Sequence, residues 1–552
     1  MNKKVCSFPI LFALLALLIG TCAVVFPASA QAAPTSTGSI TVSGTVASSY
    51  DAYQIFSANV VDGDSDAKIA TDLAWANDAA RDAVLPVLHS AGMPNSQTTA
   101  QEAAEWLNID SHLTSALSAQ LARSLQSSDA VPLNAGTASE LPCGYWLIVA
   151  DDDSIAQGEA GTAPVMALVG GSAVTVKPKA ATPKVVKHVL EDSTAAWQKA
   201  ADATVADDLY WRLSATVPAG LTAYDTYTVQ FVDTMSAGLD PSKVAASMHV
   251  YVAAGADGDF DAVSTSKDGR VGTDPAKGWT DITAQCRVSV DGKSFTVRTG
   301  DLIAALGGAD AFTAGARVVA VYNAPLNSAC NHGIAKGNPN EVYLRYPRSP
   351  LADQSGDAGF TRTPSDDACA YTWDLALTKR GSDGDKPLAG AVLSITDDRG
   401  RTLSADGTWD AEGKATVTTG EDGRVTVSGV DSGKLEVREL KAPKGYTAFE
   451  GTRSVTVKAE GLDVDQVAAA KPKLTITAES PLRADSADGS TGSLEASLIN
   501  TPTGTPPSIT TGGFMPSTGD MAMYAAAAAA VAGAALIVVA LLVKRGGGSH
   551  KE

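Results

Sequence analysis

From Val185 to about Pro350 the chain repeats one pattern. Short segments alternate apolar and polar residues (YWRLSATVPA, TYTVQFVD, HVYVAA, RVSVDGKSFTVR, ARVVAVYNA, EVYLRY), and Gly, Asp and Asn punctuate them. Successive side chains on a strand point to opposite faces, so each segment can bury one face and wet the other. Strand after strand at this spacing predicts a β-sandwich. The pattern returns over 366–503 in TWDLALTK, GAVLSITDD, KATVTTGEDGRVTVSG and KLEVREL, with Asp-Gly turns suited to hairpins. It also opens the chain, in SITVSGTV and AYQIF, and resumes in LPCGYWLIVAD, PVMALVGG and SAVTVKP. Between those strands, 66–91 and 98–127 are rich in Ala and Leu, with Trp75 and Trp106 on apolar faces, and predict helices. The expected fold is mainly β in tandem sandwiches, the first with inserted helices.

The two ends differ from this body. Lys3 and Lys4 precede an apolar stretch from about Pro9 to Phe26, and Ala28-Ser29-Ala30 offers a small-residue cleavage pattern. Residues 1–30 therefore read as a secretory signal peptide. At the other end, Met521 to Val543 is uncharged and long enough to span a bilayer as a helix. Lys544 and Arg545 follow and place the tail in the cytoplasm. A Pro-rich hinge (KPKAATPK, 177–184), a polar linker (SPLADQSGDAGFTRTPSDD) and a stalk (TPTGTPPSITTGGF, 501–514) divide the rest. The expected organisation is a signal peptide at 1–30 and an N-terminal module at 31–180. A middle sandwich at 181–365 and a third sandwich at 366–503 follow. The stalk, a short motif, the span and the basic tail occupy 504–552.

A net charge of −19 argues against nucleic acid as a partner, because phosphate recognition needs a basic face. The six histidines stand far apart, which gives no metal-ligand spacing. The runs Asp62/Asp64/Asp66 and Asp257/Asp259/Asp261 lack the Gly and Glu of a calcium loop and read as solvated turns. No HExxH, GxSxG or Cys/His pairing suggests an enzyme, and no cofactor is expected. Cys143, Cys286, Cys330 and Cys369 remain after export to an oxidising compartment. Four cysteines allow three full pairings, which spacing leaves open.

Just before the apolar span stands Met515-Pro516-Ser517-Thr518-Gly519. Pentapeptide, span and basic tail in that order resemble the cell-wall sorting signal of Gram-positive surface proteins, usually Leu-Pro-x-Thr-Gly. Met515 replaces Leu, a change an apolar pocket tolerates because Met is flexible and of similar volume. The resemblance implies a sortase that attacks the Thr518 carbonyl, breaks the Thr518–Gly519 bond and passes the acyl group to an amine.

The body of the chain resembles a sortase-assembled pilin. Over 388–397 (LAGAVLSITD), 420–430 (GEDGRVTVSGV) and 436–446 (EVRELKAPKGY) the third module resembles a Cna-B-type domain with its Glu box. The fold class expected from this resemblance is tandem Ig-like/Cna-type β-sandwiches. In that family a Lys on the first strand bonds covalently to an Asn on the last, promoted by a buried Glu. The matching residues are Lys379, Asn500 and Glu439. An apolar core lowers a lysine pKa and frees the amine as a nucleophile, and burial keeps a carboxyl protonated to polarise the amide.

The middle module departs from the family. TPKVVKHV and Gln230-Phe231-Val232-Asp233-Thr234-Met235 supply Lys187 as nucleophile and Asp233 as promoter of a middle-domain site. The expected acceptor segment reads Tyr346-Pro347-Arg348-Ser349-Pro350 and holds no Asn. Asn338 and Asn340 lie upstream, where an odd shift would turn a side chain to the other face. Lys187 and Asp233 then persist as a buried ion pair or a relic, with a middle-domain amide the less favoured alternative.

Val174-Thr175-Val176-Lys177-Pro178-Lys179 matches the family's pilin motif, which makes Lys179 the polymerising amine, with Lys177 its neighbour and rival. The motif's usual upstream Trp is absent. The resemblance implies a structural subunit of a covalent cell-surface pilus that supports adhesion, held in transit by its C-terminal helix. Its partners would be sortase, further copies of itself, accessory pilins, peptidoglycan and host surface ligands. A wall-anchored adhesin that does not polymerise is the alternative.

Overall fold

The computed structural model describes residues 36–44, 46–64, 67–109, 111–126, 128–178, 182–219, 221–255 and 278–504. These are mainly β, arranged as paired sheets in several Ig-like layers with few helices. The expected signal peptide, Lys179, the sorting motif and the 521–543 span lie outside the described residues. Among the described residues no helix is long and apolar enough to cross a membrane.

At the N-terminal end, Ser49–Asp62 is the central strand of a five-stranded sheet, flanked by Lys68–Trp75 and Gly144–Ala150. A smaller sheet has Thr37–Val42 at its centre, antiparallel to Ala138–Pro142 and parallel to Val174–Val176. Three helices, Asp78–Ser90, Ala100–Leu107 and Ser115–Leu125, pack Val84, Leu88, Leu117 and Leu121 against Ile55 and Leu147. The helix expected over 66–91 is shorter. Residues Lys68–Trp75 pair as an edge strand, and Asn77 caps a helix that starts only at Asp78. The helix expected over 98–127 is two, because Thr99 and Thr114 each cap a separate start.

In the middle, a six-stranded sheet runs Ala196–Gln198, Val185–Glu191, Tyr210–Thr216, Arg317–Asn323, His249–Ala253, Trp279–Asp281. A seven-stranded sheet runs Ala200–Asp202, Asp366–Tyr371, Asn338–Pro347, Gln230–Met235, Ser294–Arg298, Arg287–Asp291, with Phe360–Arg362 on Asn338–Pro347. One core lies between them, with Val189, Leu213, Val318 and Ala320 from the first sheet and Phe231, Val297, Val342 and Leu344 from the second. Asp366–Tyr371, expected to open the third module, is instead a strand of this middle sheet, antiparallel to Asn338–Pro347. The polar linker expected before it is also built into this sheet: Phe360–Arg362 pairs with Asn338–Pro347, and Phe360, Thr361 and Thr363 are buried.

Beyond it, Trp373–Gly381 lies between Arg424–Val430 and the last strand, Ser493–Pro502. First and last strands are parallel, with Lys379 opposite Leu498 and Gly381 opposite Asn500. The facing sheet is built on Val392–Thr396, Gly433–Lys441, Thr452–Glu460 and Lys473–Ala478. Leu375, Leu377, Leu494 and Leu498 meet Leu393, Ile395, Leu435, Val437 and Val455 in a second core.

The two cores share a tight joint. Gly333 and Gly492 meet backbone to backbone, and a Cβ on Gly333 would sit 2.5 Å from the Gly492 nitrogen. Asp202 Oδ2 accepts from Trp373 Nε1 (2.6 Å) and from the amide and hydroxyl of Ser432 (2.7 and 2.6 Å). Arg401 grips both oxygens of Asp207 at 2.5 and 2.8 Å, a bidentate pair across the joint. Glu191 lies beside Asp202, and burial plus that neighbour's charge push its carboxyl up to about 7. A raised folded-state pKa means the folded form holds a proton that the unfolded form releases from about pH 4.5 upward. Stability from this group is therefore full below that pH and is lost as pH rises through about 7. The melting temperature of the middle module is expected to fall between pH 5 and pH 8. Glu191→Gln is expected to flatten that fall, and an unchanged slope would assign it to other groups.

Candidate functional site

The core of the third module buries a lysine, an asparagine and a glutamate together. Lys379 comes from the first strand and follows Leu375 and Leu377 on the inward face. Asn500 comes from the last strand on the face of Leu494, Ala496 and Leu498. Glu439 reaches across from the Gly433–Lys441 strand of the opposite sheet. The side chains of Lys379 and Glu439 are 0% exposed.

Lys379 Nζ donates to Asn500 Oδ1 and lies 3.3 Å from Glu439 Oε1. Asn500 Nδ2 donates to both carboxylate oxygens of Glu439, at 2.9 and 3.0 Å. The amide of Phe449 donates to Glu439 Oε2 at 3.1 Å and fixes the acid's orientation. Burial lowers the Lys379 pKa to about 8, against the opposing pull of Glu439. The amine thus touches the carboxamide it would attack, and the acid touches the nitrogen that would leave.

A second constellation lies in the middle core. Lys187, on Val185–Glu191, donates through Nζ to Asp233 Oδ2 and to the Tyr322 hydroxyl (2.9 Å). Both partners of the Lys187–Asp233 pair are 0% exposed. Burial lowers Lys187 to about 8 and raises Asp233 above the usual carboxylate range. Asn340 Nδ2 donates to the same Tyr322 hydroxyl at 2.9 Å.

This corrects the expectation that Lys187 and Asp233 lack a nearby asparagine. Along Asn338–Pro347 the residues Asn338, Asn340, Val342, Leu344 and Tyr346 are all inward and buried. Asn340 is an even number of residues from Tyr346, so both lie on one face. Asn338 is spent elsewhere: its carboxamide bonds the backbone of Asn331 and Ala370.

The other predicted positions are placed as follows. Lys177 follows the Val174–Val176 strand and is exposed, and Lys179, Met515, Pro516, Ser517, Thr518 and Gly519 lie outside the described residues. Cys143, Cys286, Cys330 and Cys369 are all free thiols. Burial pushes Cys286, Cys330 and Cys369 up to about 11. Asp62, from one acidic run, accepts from the amide and hydroxyl of Ser172 at 2.9 Å. Asp66 and the run at 257–261 lie outside the described residues.

Comparison with known proteins follows the same lines. Residues 374–471 match the family model of the SpaA prealbumin-like fold domain. A trypsin-resistant surface T6 protein of Streptococcus pyogenes serotype M6 is 30% identical over 143 residues, 24% of this chain and 24% of the relative. The chain thus spans about a quarter of the length of the curated relative it matches. Among solved structures, the three-domain T6 backbone pilin of S. pyogenes aligns with a TM-score of 0.46 at 17% identity, over 86% of this chain and 100% of that one. The full-length major pilin SpaD of Corynebacterium diphtheriae aligns at 0.41 and 14%, over 85% and 98%. Residues 374–471 thus match the prealbumin-like SpaA domain family, and the chain is similar to pilin subunits of Gram-positive bacteria.

Proposed function

We propose that this chain is a structural subunit of a covalently polymerised surface pilus, built from three modules, the middle one extending through the Asp366–Tyr371 strand. The observation that carries the reading is the buried contact of Lys379 Nζ with Asn500 Oδ1, with Glu439 on the Asn500 nitrogen. In this reading Lys379 attacks the Asn500 carboxamide, Glu439 shuttles the proton, and ammonia leaves as first strand and last strand are joined. Lys187 and Asn340, with Asp233, would form the equivalent bond in the middle module. The chain's chemistry is then its own cross-linking and its use as a sortase substrate, not turnover of a separate molecule.

Assembly follows from the ends. A sortase cuts between Thr518 and Gly519 and joins Thr518 to Lys179 of another copy. The 521–543 span holds the chain at the membrane until then, and the finished fibre is attached to peptidoglycan, with accessory pilins and host surface ligands as further partners. Head-to-tail joining is heterologous and does not close, so it yields a filament.

Intact mass tests the internal bonds. The full chain is expected to fall short of its calculated mass by two ammonia, and Lys379→Ala by one. A full calculated mass in the unmodified chain would remove both amides.

A further inference from the structure

The two lysine sites differ in the reach of their acids. In the third module Glu439 contacts the Lys379 amine and bonds the Asn500 amide directly. Aspartate is one methylene shorter. In the middle module Asp233 Oδ2 takes up Lys187, while Asp233 Oδ1 and Asn340 Oδ1 are both buried without partners. The space between acid and amide is filled by one hydroxyl. Tyr322 OH accepts from Lys187 Nζ and from Asn340 Nδ2, each at 2.9 Å, and donates to Asp233 Oδ2 at 3.0 Å.

That uses the one proton and both lone pairs of a phenol. The ring is held as firmly as the hydroxyl: Tyr322 is fully buried, and Phe295 packs edge-on at 4.8 Å between centroids. Tyr322 stands on Arg317–Asn323 of the lysine's own sheet, whereas Asp233 and Asn340 belong to the facing sheet. A buried hydroxyl that touches nucleophile, acid and leaving nitrogen at once is placed to move a proton among them.

We propose that Tyr322 is a catalytic residue of the middle site, relaying a proton from Asp233 to the departing Asn340 nitrogen. The inference rests on the reading of that site as an amide-forming one. The neutral Lys187 amine attacks Asn340 Cγ, and the Nζ–Cγ bond forms. Nζ gives one proton to Asp233. The Cγ–Nδ2 bond breaks, and its electron pair leaves on Nδ2, which takes the Tyr322 proton and departs as ammonia. Tyr322 regains a proton from Asp233. Amine plus carboxamide becomes amide plus ammonia, with no net proton and no redox partner. Burial holds the Tyr322 hydroxyl well above its ordinary pKa, so the phenol keeps its proton at rest.

The test is the rate of cross-linking in freshly synthesised full chain, followed by peptide mapping for the joined Lys187 and Asn340 peptides. Tyr322→Phe is expected to slow that bond at least ~100-fold, in the range of general acid–base catalysis, while the Lys379–Asn500 bond forms at its usual rate. A fluorinated tyrosine installed at 322 keeps the hydroxyl but makes it more acidic. It is expected to change the middle-site rate several-fold, which a residue that only fills space would not. No joined middle peptide in the unmodified chain would remove the reading of the site itself. A joined peptide that forms equally fast in Tyr322→Phe would overturn the relay alone. If Tyr322→Phe does not fold, the fluorinated chain decides, and an unchanged rate overturns the relay.

Discussion

Glu439→Ala is expected to leave Lys379 and Asn500 as separate side chains, so that the variant falls short of its own calculated mass by one ammonia instead of two. Glu439 makes both hydrogen bonds to the leaving nitrogen and is the acidic partner of the Lys379 amine. Without it a lysine is buried unpaired, and no group takes up the transferred proton. The energetic effect is large because of the loop closed. Lys379 and Asn500 are 121 residues apart, and a cross-link over such a loop contributes about 5 kcal/mol by the chain-entropy relation. Its loss should lower the melting temperature of the third module by on the order of 15 °C. Glu439→Gln keeps the shape and removes the acid, and is expected to show the same shortfall of one ammonia from its own calculated mass. If either variant still falls short by two, the promoter is another group.

The second large effect is expected in the cell. Lys179→Ala should collapse the high-mass ladder of wall extracts on denaturing gels to single copies, because Thr518 then has no amine to join. Nearby amines are few. From Gln31 to Val176 the one other lysine is Lys68, and its Nζ is tied to the carbonyls of Gly170 and Ser172, the latter at 2.6 Å. Lys177 is exposed and makes the informative control. Lys177→Ala should leave the ladder intact. A ladder that survives Lys179→Ala and disappears with Lys177→Ala would transfer the role to the neighbour. Single copies in the unmodified strain would instead favour a wall-anchored adhesin.

The β character was legible because alternation along a strand is a local signal, and RVSVD, SFTVR and RVVAVYN each carry it. Lys68–Trp75 reads as helix in the sequence because KIATDLAW has helix formers at an exposed edge, where pairing with Ser49–Asp62 outweighs propensity. Lys379, Glu439 and Asn500 could be named together because each sits in a recognisable local motif. Asn340 has no such motif. Its parity with Tyr346 was the available signal, and Asn338–Pro347 had to be taken as one uninterrupted strand to use it. Tyr322 was invisible, since RVVAVYN reads as one more buried strand, and its role depends on residues 89 and 135 positions away. The joint between the middle and third modules was likewise hidden. Asp202, Trp373 and Ser432 are far apart in the chain and meet through tertiary packing alone.

Consider tension applied through the third module. The chain enters at Trp373 and exits at Pro502, and these two strands run side by side in the same direction. Pulling on entry and exit therefore slides one strand along the other and strains their whole ladder of backbone bridges at once, instead of peeling them apart in turn. The long excursion from Ser382 to Gly492 lies off that line of force. An amide near the far end of the ladder, between Lys379 and Asn500, would stop the slide before the excursion could pay out.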